Sequence, residues 1–406
     1  MTACSARVQL VYSGSLSSSP SPTEMFWTSA AQRGSLRLLR CWSHKRLTAS
    51  RCPLITLRSC CSGSVPETSP THNESPLQRW ALSVSPFTTV RARLGCSIIV
   101  HPLDPHAYPE ADRAFIAVLR SDGDQNAALG QIQVHYDDRS KVLMISAEKV
   151  NSDVTIKMDA PIKSNIFITA EGKGHVQVKR MESDICKVQT QQGNCLLHSI
   201  KSHQVEVQAH GGHVTGVGTI HGNVNISTRG DGVVNVKKLQ GTTINVSTEH
   251  GLLKVRVIYA ESSCVSSSSG RVELGHVHGN LTVENACGDT VIDGSNSFLK
   301  VSSNSGDIDV YVGDGAAAEL YSQEGVVSVR VPSSLRAGVD LCGASVDISP
   351  EVVLHGVENN TTDSCTTISG CLNEESPAER RIKAQADRGS VKLRTQSWFE
   401  SLNLGS

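Results

Sequence analysis

Asp307 and Asp309, two residues apart, are the first side chains in this 406-residue sequence whose type and spacing could do chemistry. Residues i and i+2 of a strand share a face, and paired carboxylates on one sheet face are what glycan-cleaving β-helices use. Both adjoin the turn at Ser305-Gly306, however, where aspartate is expected for turn geometry alone. No second acidic pair stands in an adjacent repeat, and the repeats are too short to build a cleft-forming loop.

Histidines form the second set: His210 and His213 around a Gly-Gly pair, His221, and His276 with His278. His276 and His278 also share a strand face, but no third residue is placed to complete a metal site, so turn and strand histidines are the simpler account. Calcium is excluded more directly, because the Gly-Gly-x-Gly-x-Asp nonapeptide of calcium-binding β-rolls is absent. Of 13 cysteines, six lie within residues 1–96; Cys186, Cys195, Cys264, Cys287 and Cys342 are scattered without C-x-x-C or metal-ligand spacing. These read as small hydrophobes in a reduced chain, and only Cys365 and Cys371 are near enough in sequence to suggest a loop-closing bridge. The residues therefore nominate no catalytic, cofactor-binding or metal-ligating group, and the expectation is a protein that is not an enzyme and carries no cofactor.

The elements that would position any such residue are set by a repeat. Gly174, Gly193, Gly212, Gly232, Gly251, Gly270, Gly288, Gly306 and Gly325 recur at a nearly constant interval, with short alternating runs of Val, Ile and Leu between them. That period is too short for a helix pair and fits one turn of a β-solenoid. Val205, Val207 and Ala209 alternate with Glu206 and Gln208, so one face of each strand is apolar and turns inward. Glycine at each corner is expected to supply positive φ, and an aromatic content of 4% suits a thin aliphatic interior. The fold class expected is all-β: a single-stranded right-handed parallel β-solenoid with rungs of about 19 residues.

Five regions follow. Residues 1–85 are rich in Ser, Pro, Arg and Cys and lack periodicity, which predicts disorder. Met25 to Pro66 contains seven basic residues and no acidic one, and Arg33, Arg37, Arg40 and His44 fall at helical spacing, the composition of a mitochondrial presequence with translation starting at Met25. Residues 95–170 are expected to supply strands capping the solenoid, 171–349 its repeats, 350–385 a flexible polar insertion, and 386–406 a C-terminal strand and cap. No apolar run is long enough for a transmembrane segment or a secretory signal. Residues 1–80 carry a balance of +6, which leaves −7 for the remainder; an acidic ordered region without a basic, aromatic stripe argues against nucleic acid. Sequons at Asn225, Asn245, Asn280 and Asn360 arise readily in a Ser/Thr/Asn-rich repeat and are read as unused.

The alternation of Ser305-Gly306-Asp307-Ile308 turns with His278-Gly279-Asn280-Leu281 segments resembles the adhesin-like domain, a bacterial domain of unknown function folded as a parallel β-solenoid. Leu103-Asp104-Pro105, Leu239-Gln240-Gly241 and Val331-Pro332-Ser333-Ser334-Leu335 are similar to a vertebrate family of the same kind, over roughly residues 95–350. The resemblance brings no catalytic or binding residues with it. The outward polar ladders of Thr, Asn, Ser, Lys and Glu predict a binding or scaffold surface with protein partners, self-association included, and the presequence composition predicts mitochondria; the alternatives are a cytoplasmic or secreted chain, an extracellular or cell-surface adhesive module, or a glycan-active β-helix enzyme.

Overall fold

A computed structural model describes residues 76–120, 131–147, 154–362, 365–373 and 380–397. The stretch read as a targeting signal lies outside the described residues. The first nine strands are β1 (Gln78–Ser83), β2 (Thr89–Leu94), β3 (Ser97–Pro102), β4 (Arg113–Arg120), β5 (Ile132–Asp137), β6 (Val142–Ala147), β7 (Val154–Ala160), β8 (Asn165–Ala170) and β9 (Val176–Lys179). Longer strands follow: β10 (Glu182–Thr190), β11 (Cys195–Ala209), β12 (Val214–Thr228), β13 (Val234–Thr248), β14 (Leu253–Ser267) and β15 (Val272–Cys287). The last nine are β16 (Thr290–Ser295), β17 (Phe298–Ser305), β18 (Ile308–Val312), β19 (Ala317–Ser322), β20 (Val327–Val331), β21 (Ala337–Ile348), β22 (Leu354–Thr361), β23 (Thr366–Leu372) and β24 (Arg381–Thr395). The described residues are all-β, and none of their elements is a helix able to cross a membrane.

Parallel pairing joins each segment to the one a repeat later, and three inward columns result. Cys195 pairs with Val214, then Val234, Leu253, Val272, Thr290, Ile308 and Val327. Val205 leads through Val224, Ile244, Ser263, Leu281 and Leu299 to Ala318. Between these two, where β11 and β12 shift register, Ile200, Ile220, Leu239, Ile258 and Val277 form a third. All but Ser263 and Thr290 are apolar, every one is buried, and the apolar members belong to a single continuous cluster. Rungs about 4.8 Å apart leave each aliphatic side chain packed on its equivalent above and below, so one branched residue per column position fills the interior.

The glycines serve a different purpose from the one expected. Gly174, Gly193, Gly212, Gly232, Gly251, Gly270 and Gly325 have no positive φ, a conformation that only Gly288 and Gly306 of the column adopt. Instead they stack: from Gly193 onward, a Cβ on each would meet the carbonyl oxygen of the column glycine one rung earlier at under 3.0 Å, whereas ordinary contact starts at 3.4 Å. The missing side chain lets turns approach as closely as the paired strands beside them, so the constraint is on packing rather than on backbone conformation.

Followed beyond the repeats, this column reveals the order of the ends. A Cβ on Gly174 would meet the Cys96 carbonyl, and one on Gly389 the Gly325 carbonyl. Accordingly β2 pairs in parallel with both β6 and β8, and β3 with both β7 and β9. At the far end β24 pairs with β19 and β20 on one side and β21 on the other. The β2–β3 segment at one end and β24 at the other are thus inserted one layer inside the stack. Antiparallel strands then flank the outermost layers, β5 on β6, β4 on β7 with β1 beyond it, and β23 on β21 with β22 beyond it.

Four expectations are corrected. The region 1–85, read as disordered, contains β1, because Trp80 and Leu82 share one strand face and pack against the core. Residues 95–170 do not simply cap: β3 is interior, and β2 begins earlier, at Thr89. The insertion read at 350–385 holds the β22–β23 hairpin, its polar residues marking outward-facing strands rather than absent ones. Of the stretch 386–406, read as a C-terminal strand and cap, the described residues 386–397 do not cap: β24 starts at Arg381 and is paired on both sides, so β21 and the hairpin lie outside it.

Candidate functional site

The residue after several of the column glycines hydrogen-bonds the neighbouring turn, and this placement accounts for several of the side chains singled out as chemical. Ser97 Oγ accepts the His175 N–H at 3.1 Å, His175 Nδ1 the Asn194 N–H at 2.9 Å, Asn194 Oδ1 the His213 N–H at 3.0 Å, and His213 Nδ1 the Val233 N–H at 3.0 Å. Further along, Asp289 accepts the Asp307 N–H at 3.2 Å and Asp307 Oδ1 the Val326 N–H at 2.8 Å. Each side chain thus satisfies a backbone donor that the tight turn leaves unpaired. His213 must keep Nδ1 unprotonated to do so, and Asp307 is a turn clamp rather than an acid or base. His210 reaches the Thr190 carbonyl at 3.3 Å.

Asp309 has a separate environment that spacing did not reveal. Arg330, its side chain 16% exposed, donates from Nε to Asp309 at 2.7 Å, from Nη1 to Gln396 at 2.9 Å and from Nη2 to the Ile292 carbonyl at 3.2 Å. Asp293 stands 3.9 Å from the same guanidinium. Burial pushes the Asp293 carboxyl above the usual carboxylate range, opposed by the charges of Arg330 and His276. An adjacent-rung carboxylate for Asp309 therefore does exist, at Asp293, and sequence spacing misses it because it lies diagonally across the ladder. Arg330 faces both carboxylates and hydrogen-bonds Asp309, so the cluster ties β16, β18, β20 and Gln396, just beyond β24, together.

His276 and His278 diverge. His276 lies over Gly294, where an added Cβ would meet its Nδ1 at 2.9 Å, while His278 stacks on Tyr259 at 4.4 Å between centroids and 4° between planes. Asn296 Nδ2 lies 2.8 Å from His278 Nδ1, and Lys238 Nζ sits 4.8 Å from the Tyr259 ring centre on the preceding rung. Burial, then the His276 charge, lowers the His278 pKa from its ordinary value. Among the described residues no group of three His, Cys, Asp or Glu side chains is placed to hold a metal.

His278 belongs to a longer feature. In register, Glu182, Lys201, His221, Gln240, Tyr259 and His278 stand one above another on successive rungs. Lys163, 3.2 Å from Glu182, extends the column at one end and Asn296 at the other. Beside its first rungs lies a groove of about 340 Å³ whose walls include Phe87, Asp184, Ser202 and His203. Phe87 is 69% exposed there, an unusual position for a phenylalanine. The column offers charge, amide, imidazole and phenol edges at one per rung, a linear array of polar side chains rather than an enclosed pocket. Only the register reveals it, since its members sit a full repeat apart in sequence and differ in type.

Residues 217–394 match the family model described as Toastrack DUF4097. Among solved structures the chain is similar to a candidate adhesin from Parabacteroides merdae, at 14% identity over 62% of this chain and 95% of that one, with a TM-score of 0.35. A candidate lipid-binding protein from Parabacteroides distasonis is 12% identical over 63% and 96%, TM-score 0.35. A candidate adhesin from Bacteroides fragilis is 13% identical over 79% and 96%, TM-score 0.23. Over residues 217–394 the chain is thus similar to the Toastrack domain.

Proposed function

We propose that this chain is a non-enzymatic adhesive module, a right-handed β-solenoid that presents a linear binding column, one residue per rung of about 19 residues, to an extended protein partner or to a second copy of itself. The observation that carries the reading is the outward column from Lys163 to Asn296, whose six central members share one register line. Asp307 and Asp309, the residues a glycan-cleaving enzyme would use, are engaged by a turn amide and by Arg330. Kinship to the vertebrate family rests on the segments around Leu103, Leu239 and Val331. Residues 171–349 carry most of the column, so they are the functional core of the five-region scheme.

The test is adhesion of beads coated with the full chain, to one another and to cultured cells. Lys201→Glu with Tyr259→Ser is expected to reduce adhesion while unfolding stays close to wild type. Undiminished adhesion of that variant refutes the column, and turnover of any member of a carbohydrate panel refutes the non-enzymatic reading.

The adhesive reading favours the cell surface or the extracellular space; the basic stretch from Met25 to Pro66 favours mitochondria. Asn225, Asn245, Asn280 and Asn360 are all exposed, so glycan on any of them in the endogenous protein supports the first location. A mature N-terminus between residues 45 and 85 in a mitochondrial fraction supports the second.

A further inference from the structure

Cys342 lies on β21 and Cys365 immediately precedes β23, and their Sγ atoms are 2.8 Å apart. Antiparallel register holds both in place, Cys342 opposite Thr367 and Gly343 opposite Thr366. The Cys365 carbonyl accepts the Thr362 N–H at 2.9 Å and the Thr362 hydroxyl at 3.1 Å, which fixes the approach to the strand. Both residues are partly exposed. The bridge considered from the sequence, Cys365 to Cys371, is geometrically closed: the two lie along one extended strand and are roughly 20 Å apart, against the ~7 Å limit between Cα atoms for a disulfide. Cys96, Cys186 and Cys195 are fully buried, and burial pushes the first two thiols up to about 11 and about 12. They are unreactive for that reason.

We infer that Cys342 and Cys365 are a covalent modification site, at which oxidation forms a disulfide that fastens the β22–β23 hairpin to the last parallel layer. The oxidant is a low-molecular-weight disulfide. One cysteine thiolate attacks a sulfur of that disulfide, its S–S bond breaks, and one small thiol leaves. The second cysteine thiolate attacks the mixed disulfide at the protein sulfur and expels the other small thiol. Two protein S–H bonds are replaced by one S–S bond, and both protons end on the two small thiols. The bridge pins β23 across β21, whose outer edge would otherwise offer unpaired backbone groups to another chain. In a thiol-rich compartment the pair stays reduced and the hairpin is held by its ladder alone. The inference rests on the cysteine geometry and is independent of the adhesive reading.

The full chain is equilibrated with oxidised glutathione or with dithiothreitol, the remaining thiols are alkylated, and the peptides are mapped by mass spectrometry. A peptide pair joined through Cys342 and Cys365, two hydrogens lighter than its separate parts and absent after dithiothreitol, is the expected result. Cys371→Ser retains that pair, and Cys365→Ser loses it. Amide hydrogen exchange across Thr366–Leu372 is expected to slow about tenfold on oxidation. Free Cys342 and Cys365 after oxidation, or Cys365 joined to Cys371, overturns the assignment; a bridge that leaves exchange unchanged overturns the fastening role.

Discussion

Substituting alanine at Gly230, Gly232 and Gly251 separates the two reasons for a glycine at a turn. Gly230 has φ +62 and nothing within 4 Å of an added Cβ. Left-handed backbone costs alanine about 1–2 kcal/mol, and the stiffer unfolded chain returns about 0.4–1 kcal/mol. Gly230→Ala is therefore expected to destabilise by about 0.5–1 kcal/mol. Gly232, two residues on, has no positive φ, yet its Cβ would stand 2.7 Å from the Gly212 carbonyl oxygen and 3.1 Å from Thr228 Cβ. Overpacking of this kind costs about 1–3 kcal/mol, so after the same offset Gly232→Ala is expected to cost about 1–2 kcal/mol. Gly251→Ala drives its methyl closer still to the Gly232 carbonyl. Relief requires the turns to separate, straining the flanking bonds from Val234 N–H to the Leu252 carbonyl and from Leu253 N–H to the Arg271 carbonyl, both 2.9 Å. The expected cost is about 3 kcal/mol or more. Urea unfolding followed by far-UV circular dichroism ranks the variants, and amide exchange locates the damage, which matters because stacked repeats need not unfold in one step. A Gly251→Ala protein no less stable than Gly230→Ala would refute the stacking account of the column.

Other expectations follow from single contacts. Thr228 donates its hydroxyl to the Gly232 carbonyl at 2.9 Å, whereas the buried Thr248 hydroxyl finds no partner among the described residues; Thr228→Val should lose about 1 kcal/mol and Thr248→Val should be neutral or gain, as calorimetry would show. Arg330→Met leaves Asp309 and Asp293 without their cation, but both carboxylates are partly exposed, so the cost should be about 1 kcal/mol in urea titration, partly restored by adding Asp309→Leu. His278 and His101 both have lowered pKa values, each mainly through burial. The unfolded chain therefore takes up these protons first, so stability is intact above the ordinary imidazole value of about 6.5 and declines as pH falls through the window below it. Denaturant midpoints at several pH values should show that decline, with a shallower slope in His278→Gln and an unchanged one refuting it. Asn225 and Asn245 are register partners about 4.8 Å apart, so in a secreted chain intact-mass analysis should find a glycan on one or the other but not on both.

Much of the central architecture is legible because each rung repeats one physical problem: an apolar face inward, a tight turn, and a close neighbour. Val205, Val207 and Ala209 declare their face by alternation, and the glycine spacing announces the period. The cause of the glycines is not legible, since a residue chosen for positive φ and one chosen for close approach look the same in a sequence. Asp307 and His213 invite chemical readings for a similar reason, as their turn-clamping role depends on a backbone donor one rung away. The inserted ends escape sequence reasoning because neighbours in sequence are assumed to be neighbours in the stack. A clue was available in Gly95-Cys96 and Gly389-Ser390-Val391, turn-like segments at both extremities that could join the glycine column only by docking out of order. Asp293 and the Lys163–Asn296 column depend on diagonal and cross-rung proximity among unlike residues, which no periodicity of a single residue type records.

The placement of β24 between β20 and β21 makes folding wait on synthesis. When β21 leaves the ribosome, the layer that belongs beneath it has not been made, and it can be seated only after Thr395 has emerged. The same interleaving of β2 and β3 at the other extremity ties an early segment to strands that follow only after β4 and β5. Both clasps are independent of how many rungs lie between them. Duplication or loss of whole repeats within the middle would lengthen or shorten the stack without opening either end, whereas adding a rung outside a clasp would dismantle it. The length of the outward column from Lys163 to Asn296 is therefore a heritable dimension that can change one rung at a time.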